Sequence, residues 1–357
     1  MDLAEFDYPL PEDRIAQEPL ADRAAARMLV VDCARATFED RQFRDFPSFL
    51  APGDCLVLND SRVFPARLFG HRQGVRSLPI GKHNPKRSTH LSGQVEVFLL
   101  RALPGGRDWQ ALVRPGRKMR VGERIHFDGG LSAEIVARGG FGERTIRFSG
   151  AGDLFEEFER IGHVPLPPYI KRPDRPADRD RYQTVFAREK GSAAAPTAGL
   201  HFTAEILDRS RARGAQIAYV TLHVGLGTFQ PLHREQIAAG RLHAEAYRIA
   251  PEAAACIRSA QRVLAVGTTT VRTIESAWRS GAMSGDTDLF IAPGFPFQRV
   301  GAILTNFHLP RTSLLLLVAA FAGKELTLAA YRHAVEANYR FYSYGDCMLL
   351  THHPPAQ

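Results

Sequence analysis

The chain has 357 residues, of which 45% are hydrophobic and 24% are charged. This length predicts two domains with a sizeable core, and the composition excludes a disordered chain, a collagen and a disulfide-built miniprotein. The longest apolar run, residues 314–322, is far shorter than the roughly 18 residues of a membrane span. The acidic, proline-interrupted start does not have the pattern of a signal peptide.

Basic residues are in excess, with 46 Lys and Arg against 38 Asp and Glu and a net charge of +8. The excess favours a polyanionic partner, nucleic acid first, although a generally basic proteome would produce the same balance. The four cysteines, Cys33, Cys55, Cys256 and Cys347, are scattered, without a C-x-x-C pair or a nearby His at metal-ligand spacing. They predict a cytoplasmic protein with no metal site.

The first part of the chain, to about residue 66, has one clear predicted strand. Residues 55–59 form an apolar run that a Pro-Gly-Asp turn precedes and an Asn-Asp-Ser turn follows. Residues 71–92 then contain five Lys and Arg, no acidic residue and several Gly, Pro and Asn. This segment is typical of a flexible basic loop.

The next segment is rich in short strands. Five alternating or β-branched runs are separated by Gly- and Pro-rich turns, at residues 95–101, 108–114, 122–127, 131–138 and 143–148. Strands at this spacing with no helix between them predict a small antiparallel β-barrel.

After an irregular connector at residues 165–181, strands and helices alternate. Predicted helices cover 203–213, 251–261, 271–279, 313–322 and about 326–339, and predicted strands cover 217–223, 263–267, 302–305 and 347–350. Alternation of this kind predicts an α/β fold with a mostly parallel sheet. The sequence therefore predicts a larger α/β domain, residues 1–67 plus 151–357, interrupted by a barrel domain at 68–150.

Three predicted strands end in polar turns, at 219–230, 266–272 and 304–310. Ligands of open α/β sheets bind beyond the carboxyl ends of strands, where helix starts offer free N–H groups to anions. We therefore expect a carboxylate or phosphate at Gly267, Thr268, Thr269 and Thr270, with Arg272 as its counter-charge. Thr at a helix start is also a good N-cap, but three such turns in one domain favour a ligand site.

The segment at 193–203 is apolar and small, and carries His201. Small residues let a ligand approach the backbone, and a histidine there is a candidate base, although a packed turn with a satisfied His explains the same pattern. Gly225 and Gly227 suggest a dinucleotide loop, but no third glycine follows at the required position.

Basic clusters favour a nucleic-acid surface, although a solvated charged face explains any single one. Residues 101–124 hold seven Lys and Arg on the predicted barrel, and further clusters lie at 59–67 and 171–181. Tyr169, Trp109 or Phe64 are candidates to stack on a base. The predicted RNA contacts are Arg62, Arg67, Arg114, Arg117, Lys118, Tyr169, Lys171 and Arg181.

Taken together, the motifs resemble the S-adenosylmethionine:tRNA ribosyltransferase-isomerase family of queuosine biosynthesis. The matching segments are residues 6–12, 57–62, 162–170, 180–184, 195–203 (APTAGLHFT), 221–225, 227–231, 266–272 (VGTTTVR), 305–310 (TNFHLP) and 339–346 (YRFYSYGD). They run nearly end to end, so the resemblance is highly specific. Leu226, Thr270 and the long basic segment 71–92 depart locally from the family pattern, and the last leaves open how the barrel meets tRNA.

The resemblance implies an α/β domain interrupted by a β-barrel, and it implies a reaction. The ribosyl part of S-adenosylmethionine is transferred to 7-aminomethyl-7-deazaguanine at the wobble position of a tRNA with a GUN anticodon. It is isomerised to an epoxycyclopentane, which gives epoxyqueuosine with release of adenine and methionine. S-adenosylmethionine is a co-substrate, and no cofactor is expected.

This chemistry needs acid–base groups near neutral pH, and His201, His223 and His308 each stand in a matched motif. Their individual roles stay open. We expect Gly267 to Thr270 and Arg272 to hold the methionine carboxylate, with Glu275 orienting Arg272 one turn along the helix. Thr228 and Asn306 are further candidate substrate ligands.

Two other functions are possible on the sequence alone. An S-adenosylmethionine-dependent RNA methyltransferase would need a Gly-rich cofactor loop after the first strand of the α/β domain, which the sequence does not show. A non-catalytic RNA-binding protein would leave the strand-end turns unexplained. We expect no membrane partner, and the oligomeric state is open, with a monomer as the working expectation.

Overall fold

The computed structural model describes residues 2–73, 93–140, 142–150, 152–225 and 234–351. The strands in chain order are β1 Arg27–Asp32, β2 Thr37–Gln42, β3 Asp54–Asn59, β4 Ser61–Val63, β5 Arg67–Gln73, β6 Gln94–Ala102, β7 Asp108–Arg114, β8 Arg124–Phe127, β9 Ser132–Arg138, β10 Glu143–Ser149, β11 Glu189–Ser192, β12 Gln216–Leu222, β13 Arg241–Ile249, β14 Arg262–Val266, β15 Ser284–Leu289, β16 Val300–Asn306 and β17 Cys347–Thr351.

The α-helices are α1 Leu154–Ile161, α2 Asp178–Arg181, α3 Ala204–Ala212, α4 Arg234–Ala239, α5 Pro251–Ser259, α6 Thr268–Ser280, α7 Ser313–Ala322 and α8 Lys324–Glu336. Short 3₁₀ helices cover Leu3–Phe6, Glu12–Arg14, Arg23–Ala25, Phe43–Phe49, Asp128–Gly130 and Thr197–His201. The predicted helices of the second half are all present within a few residues of their expected limits.

The large sheet has nine strands in the order β15-β13-β12-β3-β14-β16-β17-β1-β2. Its four central strands, β12, β3, β14 and β16, are mutually parallel, as the alternating pattern predicts. On one side of these strands, β13 is antiparallel to β12 and β15 is antiparallel to β13. On the other side, β17 is antiparallel to β16, and β1 is parallel to β17. The α/β fold class is confirmed, in a sheet that is mixed rather than mostly parallel.

The central strands are buried on both faces. All six residues of β3 are buried, and alternate residues such as Leu56 and Val57 belong to different apolar clusters. Helices α5 to α8 cover one face, and the Phe43–Phe49 helix with Phe202 covers the other. Burial on both faces explains why these strands have continuous apolar runs instead of alternation.

The second unit is a closed antiparallel barrel of six strands in the order β10-β7-β6-β5-β8-β9. The predicted barrel is confirmed, with one strand more than expected. Strand β5 includes His71 and Arg72, which the sequence places in a flexible loop; the rest of that predicted loop, residues 74–92, lies outside the described residues. Arg72 belongs to the barrel because its guanidinium binds Glu123 through two hydrogen bonds of 2.9 and 2.6 Å. Because the barrel strands run from β5 to β10, we propose that the inserted unit covers residues 68–150.

None of the described helices is long and apolar enough to cross a bilayer by itself. Helices α7 and α8, bent by 116° at the break between them, pass such a test only when taken as a pair, by length and composition.

Candidate active site

The parallel strands bring the polar turns together at one edge of the sheet. Strands β12, β3, β14 and β16 all point in the same direction, so the residues that follow them share that edge. These residues include His223 after β12, Asp60 and Ser61 after β3, Gly267 and Thr268 after β14, and Phe307 and His308 after β16. The meeting of the three strand-end turns, expected from the sequence, is therefore present.

A narrow cavity of about 50 Å³ lies beside the start of α6. Its lining residues come from seven separate stretches of the chain: Tyr169, Ala195, Pro196, Thr197, Ala198, Val224, Gly267, Thr268, Thr269, Thr305, Asn306, Phe307, His308, Leu314, Tyr342 and Ser343. We call this the α6 cavity. It contains four of the predicted ligand residues, Gly267, Thr268, Thr269 and Asn306, and one of the predicted catalytic residues, His308.

The start of α6 is built to leave N–H groups free. Gly267 has φ 89°, a conformation that favours glycine, and its own N–H donates to Leu304 O at 2.7 Å. The first bond of the helix runs from the Val271 N–H to Gly267 O. The N–H groups of Thr268, Thr269 and Thr270 precede it and have no acceptor within the helix, so they can bind an anion.

Two predicted ligands at this helix are engaged elsewhere. The Thr270 hydroxyl is fully buried and donates to Val266 O at 2.6 Å, so only its backbone remains for a ligand. Arg272 is also buried: it forms an ion pair with Glu245 and donates to the backbone oxygens of Thr287 and Leu289. A protein carboxylate therefore already binds the guanidinium, and the expected role of Arg272 as a substrate counter-charge stays a prediction that this geometry does not support.

Glu275 does not orient Arg272 either. Its carboxylate is fully buried and accepts hydrogen bonds of 2.8 to 3.0 Å from the backbone N–H groups of Gln298, Arg299 and Val300. The spacing of one helical turn suggested an interaction with Arg272, but Glu275 instead ties α6 to the segment that leads into β16.

The three histidines lie in different surroundings. His308 lines the α6 cavity, and its Nε2 lies 2.9 Å from Thr305 Oγ1. His201 lies behind Asn306, which donates from Nδ2 to His201 Nε2 at 3.2 Å, so this histidine positions a cavity residue rather than facing the cavity. Burial lowers the pKa of the His201 and His308 rings to about 3, and at His201 the positive charges of Arg23 and then Arg340 lower it further. Both rings are therefore neutral at neutral pH.

His223 lines a second, larger cavity of about 430 Å³, where the barrel meets the sheet. We call this the barrel cavity. Its lining residues are Leu100, Arg101, Ala102, Trp109, Gln110, Leu112, Glu143, Phe155, Lys190, Gly191, His223, Gly225, His243, Ala244, Glu245 and Ala246. The two cavities are adjacent, because Val224 lines the first while its neighbours His223 and Gly225 line the second.

Asn59 and Glu245 organise this junction, and no local pattern in the sequence marks either of them as a site residue. The Asn59 side chain bonds both the N–H and the carbonyl of Leu222, at 3.2 and 3.0 Å, and thereby fixes the end of β12. Glu245 accepts from the Gly225 N–H at 2.8 Å and from Arg272. Asn59 lies in the segment 57–62 that matches the family, and this match alone in the sequence points to it as a site residue. Thr228, a predicted ligand, lies outside the described residues.

The predicted RNA contacts fall into two groups. Arg62, Arg114, Arg117 and Lys118 are exposed, and within the described ranges their side chains have no ion-pair partner. The others are engaged: Arg67 pairs with Glu96 and Lys171 with Glu12, Arg181 donates to Leu20 O, and Tyr169 lines the α6 cavity with its hydroxyl 2.6 Å from Ser343 Oγ.

Residues 2–73, 93–140, 142–150, 152–225 and 234–351 hold no cluster of three or more His, Cys, Asp or Glu that could bind a metal ion. The fold is that of an α/β protein with an inserted barrel and with two cavities at the strand ends, an organisation typical of an enzyme.

Comparisons with known proteins agree. The family model described as "Queuosine biosynthesis protein" matches residues 3–350. The S-adenosylmethionine:tRNA ribosyltransferase-isomerases of Solibacter usitatus and Symbiobacterium thermophilum are 72% and 48% identical, each over 98% of this chain and 100% of the relative. A crystal structure of S-adenosylmethionine tRNA ribosyltransferase from Thermotoga maritima is 37% identical, covers 97% of this chain and 99% of its own, and has a TM-score of 0.53.

The chain belongs to the queuosine biosynthesis protein family, and the resemblance noted in the sequence is confirmed.

Proposed function

We propose that this enzyme transfers the ribosyl part of S-adenosylmethionine to 7-aminomethyl-7-deazaguanine at the wobble position of a GUN-anticodon tRNA and isomerises it, giving epoxyqueuosine, adenine and methionine. The named relatives support this reaction for the chain as a whole. The observation that carries the proposal is the α6 cavity, where free helix N–H groups and a neutral histidine adjoin at the strand ends.

The methionine carboxylate fits the start of α6. The N–H groups of Thr268 and Thr269 offer hydrogen bonds, and the positive end of the helix dipole supplies the favourable field that Arg272 cannot. The cavity is narrow, so we infer that the side chains lining it move apart when S-adenosylmethionine binds. No cofactor besides this co-substrate is proposed.

His308 is our candidate for the base that removes the proton next to the sulfonium. The proposal rests on position, because His308 lines the same cavity as Thr268. Burial lowers the pKa of the ring to about 3 in the unliganded chain, which makes it a weak base, so we infer that opening of the cavity on substrate binding raises this pKa toward neutral. We propose that His201 acts indirectly, by holding Asn306 in the cavity wall.

The tRNA contact we favour is the last residue of β7 together with the loop between β7 and β8. Arg114, Arg117, Lys118 and Arg120 are exposed there, on the barrel side of the molecule, without an ion-pair partner among the described residues. Unpaired cations suit phosphates. The dispersed cysteines and the tRNA substrate support a cytoplasmic site of action, and we propose no membrane partner.

Product analysis tests the reaction. The full chain is incubated with S-adenosylmethionine labelled in the ribose and with tRNA carrying 7-aminomethyl-7-deazaguanine; tRNA with guanine at that position is the control. We expect label in the wobble nucleoside and equal release of adenine and methionine. Formation of S-adenosylhomocysteine would instead show a methyltransferase and refute the proposal.

A matched pair of histidine variants tests the base. His308→Gln should lower turnover by about 10²-fold or more, the scale of general acid–base catalysis. His333→Gln, which alters a surface histidine 3.0 Å from Asp40, should leave turnover unchanged. Equal turnover of the two variants would remove His308 from the mechanism.

A further inference from the structure

Ser61 makes one hydrogen bond with its side chain, and the partner is His223. Ser61 is fully buried at the start of β4, and its Oγ lies 2.8 Å from His223 Nδ1. Among the residues that the structure describes, this hydroxyl has no other hydrogen-bond partner. The residue has no exposed surface, so bulk solvent does not reach its hydroxyl.

The position of the hydroxyl proton follows from this arrangement. A buried hydroxyl that cannot donate leaves a costly unsatisfied proton, about 1–3 kcal/mol. Among the described residues the one hydrogen-bond partner of this hydroxyl is the ring nitrogen Nδ1, so Ser61 donates to Nδ1. A neutral imidazole has one protonated nitrogen, and therefore its proton lies on Nε2.

Gly191 fixes the plane of the same ring. A Cβ built on Gly191 would lie 2.9 Å from Cε1 and 3.0 Å from both Nδ1 and Nε2 of His223. Near-equal distances to three ring atoms mean that Gly191 faces the flat side of the imidazole, not its edge. Gly191 has φ 145°, so both its backbone conformation and this close approach require glycine.

The other ring nitrogen of His223, Nε2, is not bound by Ser61. His223 is half-buried and lines the barrel cavity, and Nε2 has no hydrogen-bond partner in the described parts of the chain. Burial lowers the pKa of His223, which favours the neutral ring. The titratable and charged groups around it are Asp60, Glu189, Arg248, Lys190, His243, Glu245, Glu143 and Arg101.

We propose that Ser61 and Gly191 are positioning residues that hold neutral His223 as the Nε2–H tautomer, so that it presents a hydrogen-bond donor to an acceptor atom of the substrate in the barrel cavity. His223 is then a donor in the resting enzyme, and the base is a different residue. The tautomer is a property of the chain alone; the identity of the acceptor as a substrate atom rests on the proposed function.

Nitrogen-15 NMR of the full chain, labelled at histidine, tests the tautomer directly. His223→Gln assigns the signal, and spectra are recorded at a pH where the ring is neutral. In the wild type we expect an unprotonated Nδ1 and a protonated Nε2. A protonated Nδ1 in the wild type would overturn the proposal.

Variants then separate positioning from simple structural support. Ser61→Ala should turn the single tautomer into a mixture and lower kcat about tenfold with little change in the KM of S-adenosylmethionine, whereas Ser61→Thr, which keeps the hydroxyl, should restore both. Gly191→Ala should shift both ring signals by displacing the ring. An unchanged tautomer in Ser61→Ala refutes the role of Ser61, whatever the activity.

The two proposals can fail separately. If the wild type shows the Nε2–H tautomer but produces no epoxyqueuosine, the proposed function is wrong and the positioning stands. If epoxyqueuosine forms and Ser61→Ala keeps the wild-type tautomer and kcat, the positioning is wrong and the reaction stands.

Discussion

The buried pair of Arg272 and Glu245 allows a quantitative test of what Arg272 does. Both side chains are about 5% exposed, and Arg272 additionally bonds two backbone oxygens. Glu245→Gln leaves the guanidinium charge buried without its partner. Removing one member of such a pair costs about 3–5 kcal/mol, so we expect the free energy of unfolding to fall by that amount.

Urea unfolding followed by Trp278 fluorescence measures this loss. Trp278 lies on α6, close to Arg272 in sequence, and in a Trp109→Phe background it is the only tryptophan of the chain. Arg272→Met should cost a similar amount, and the double variant should cost clearly less than the sum, since neither charge is then left unpaired. Arg241→Met, in an exposed pair with Asp288 on the same sheet, is the control and should stay within about 0.5 kcal/mol.

The opposite result would restore the role expected from the sequence. If Arg272→Met left the free energy of unfolding unchanged and raised only the KM of S-adenosylmethionine, Arg272 would be a substrate ligand and its structural role would be refuted.

Three further predictions concern α6, acid stability and tRNA. Glu275→Ala should lower the free energy of unfolding by about 3 kcal/mol or more in the same urea assay, because three backbone N–H groups, including that of the buried Val300, lose a charged acceptor. A loss below about 1 kcal/mol would contradict this. Burial lowers the pKa of His201 and His308 to about 3 from the usual 6.5, so as the pH falls the unfolded chain takes up protons before the folded chain does. The free energy of unfolding should therefore be at its full value above pH 6.5. Between pH 6.5 and 3 it should fall by up to about 1.4 kcal/mol per pH unit for each histidine. Urea unfolding across that range checks this, and an unchanged slope in His201→Asn would refute it for that residue. Arg117→Gln and Lys118→Gln should each weaken tRNA binding and reduce the slope of log affinity against log salt by about 1, whereas an unchanged slope in a filter-binding titration would exclude a phosphate contact.

The parts of the fold that the sequence predicts are those with local signals. The central strands β3, β12, β14 and β16 are apolar runs bounded by turn residues, and the barrel strands follow each other at short, regular spacing. Strand β1 has such an apolar run at residues 28–31, which the prediction missed. Strands β2 and β15 have none: β2 is almost entirely exposed and polar, and β15 has the sequence SGDTDL. Their place depends on neighbours that are distant in the chain.

The candidate site divides in the same way. Gly267, Thr268 and His308 are recognisable because each follows a predicted strand, and parallel strands carry such residues to one edge. The roles of Arg272 and Glu275 could not be predicted, because Glu245 and the backbone at 298–300 become their partners only in the folded chain. The roles of Ser61 and Gly191 could not be predicted for the same reason, because β4 and β11 bring them against His223 only in the folded chain.

A crystal structure of this chain with bound S-adenosylmethionine tests the central claim most directly. We expect the methionine carboxylate on the N–H groups of Thr268 and Thr269, the sulfonium next to His308, and the ribose directed past Val224 toward the barrel cavity. A carboxylate seated on Arg101 or Lys190 in the barrel cavity, with the α6 cavity still closed, would contradict the account.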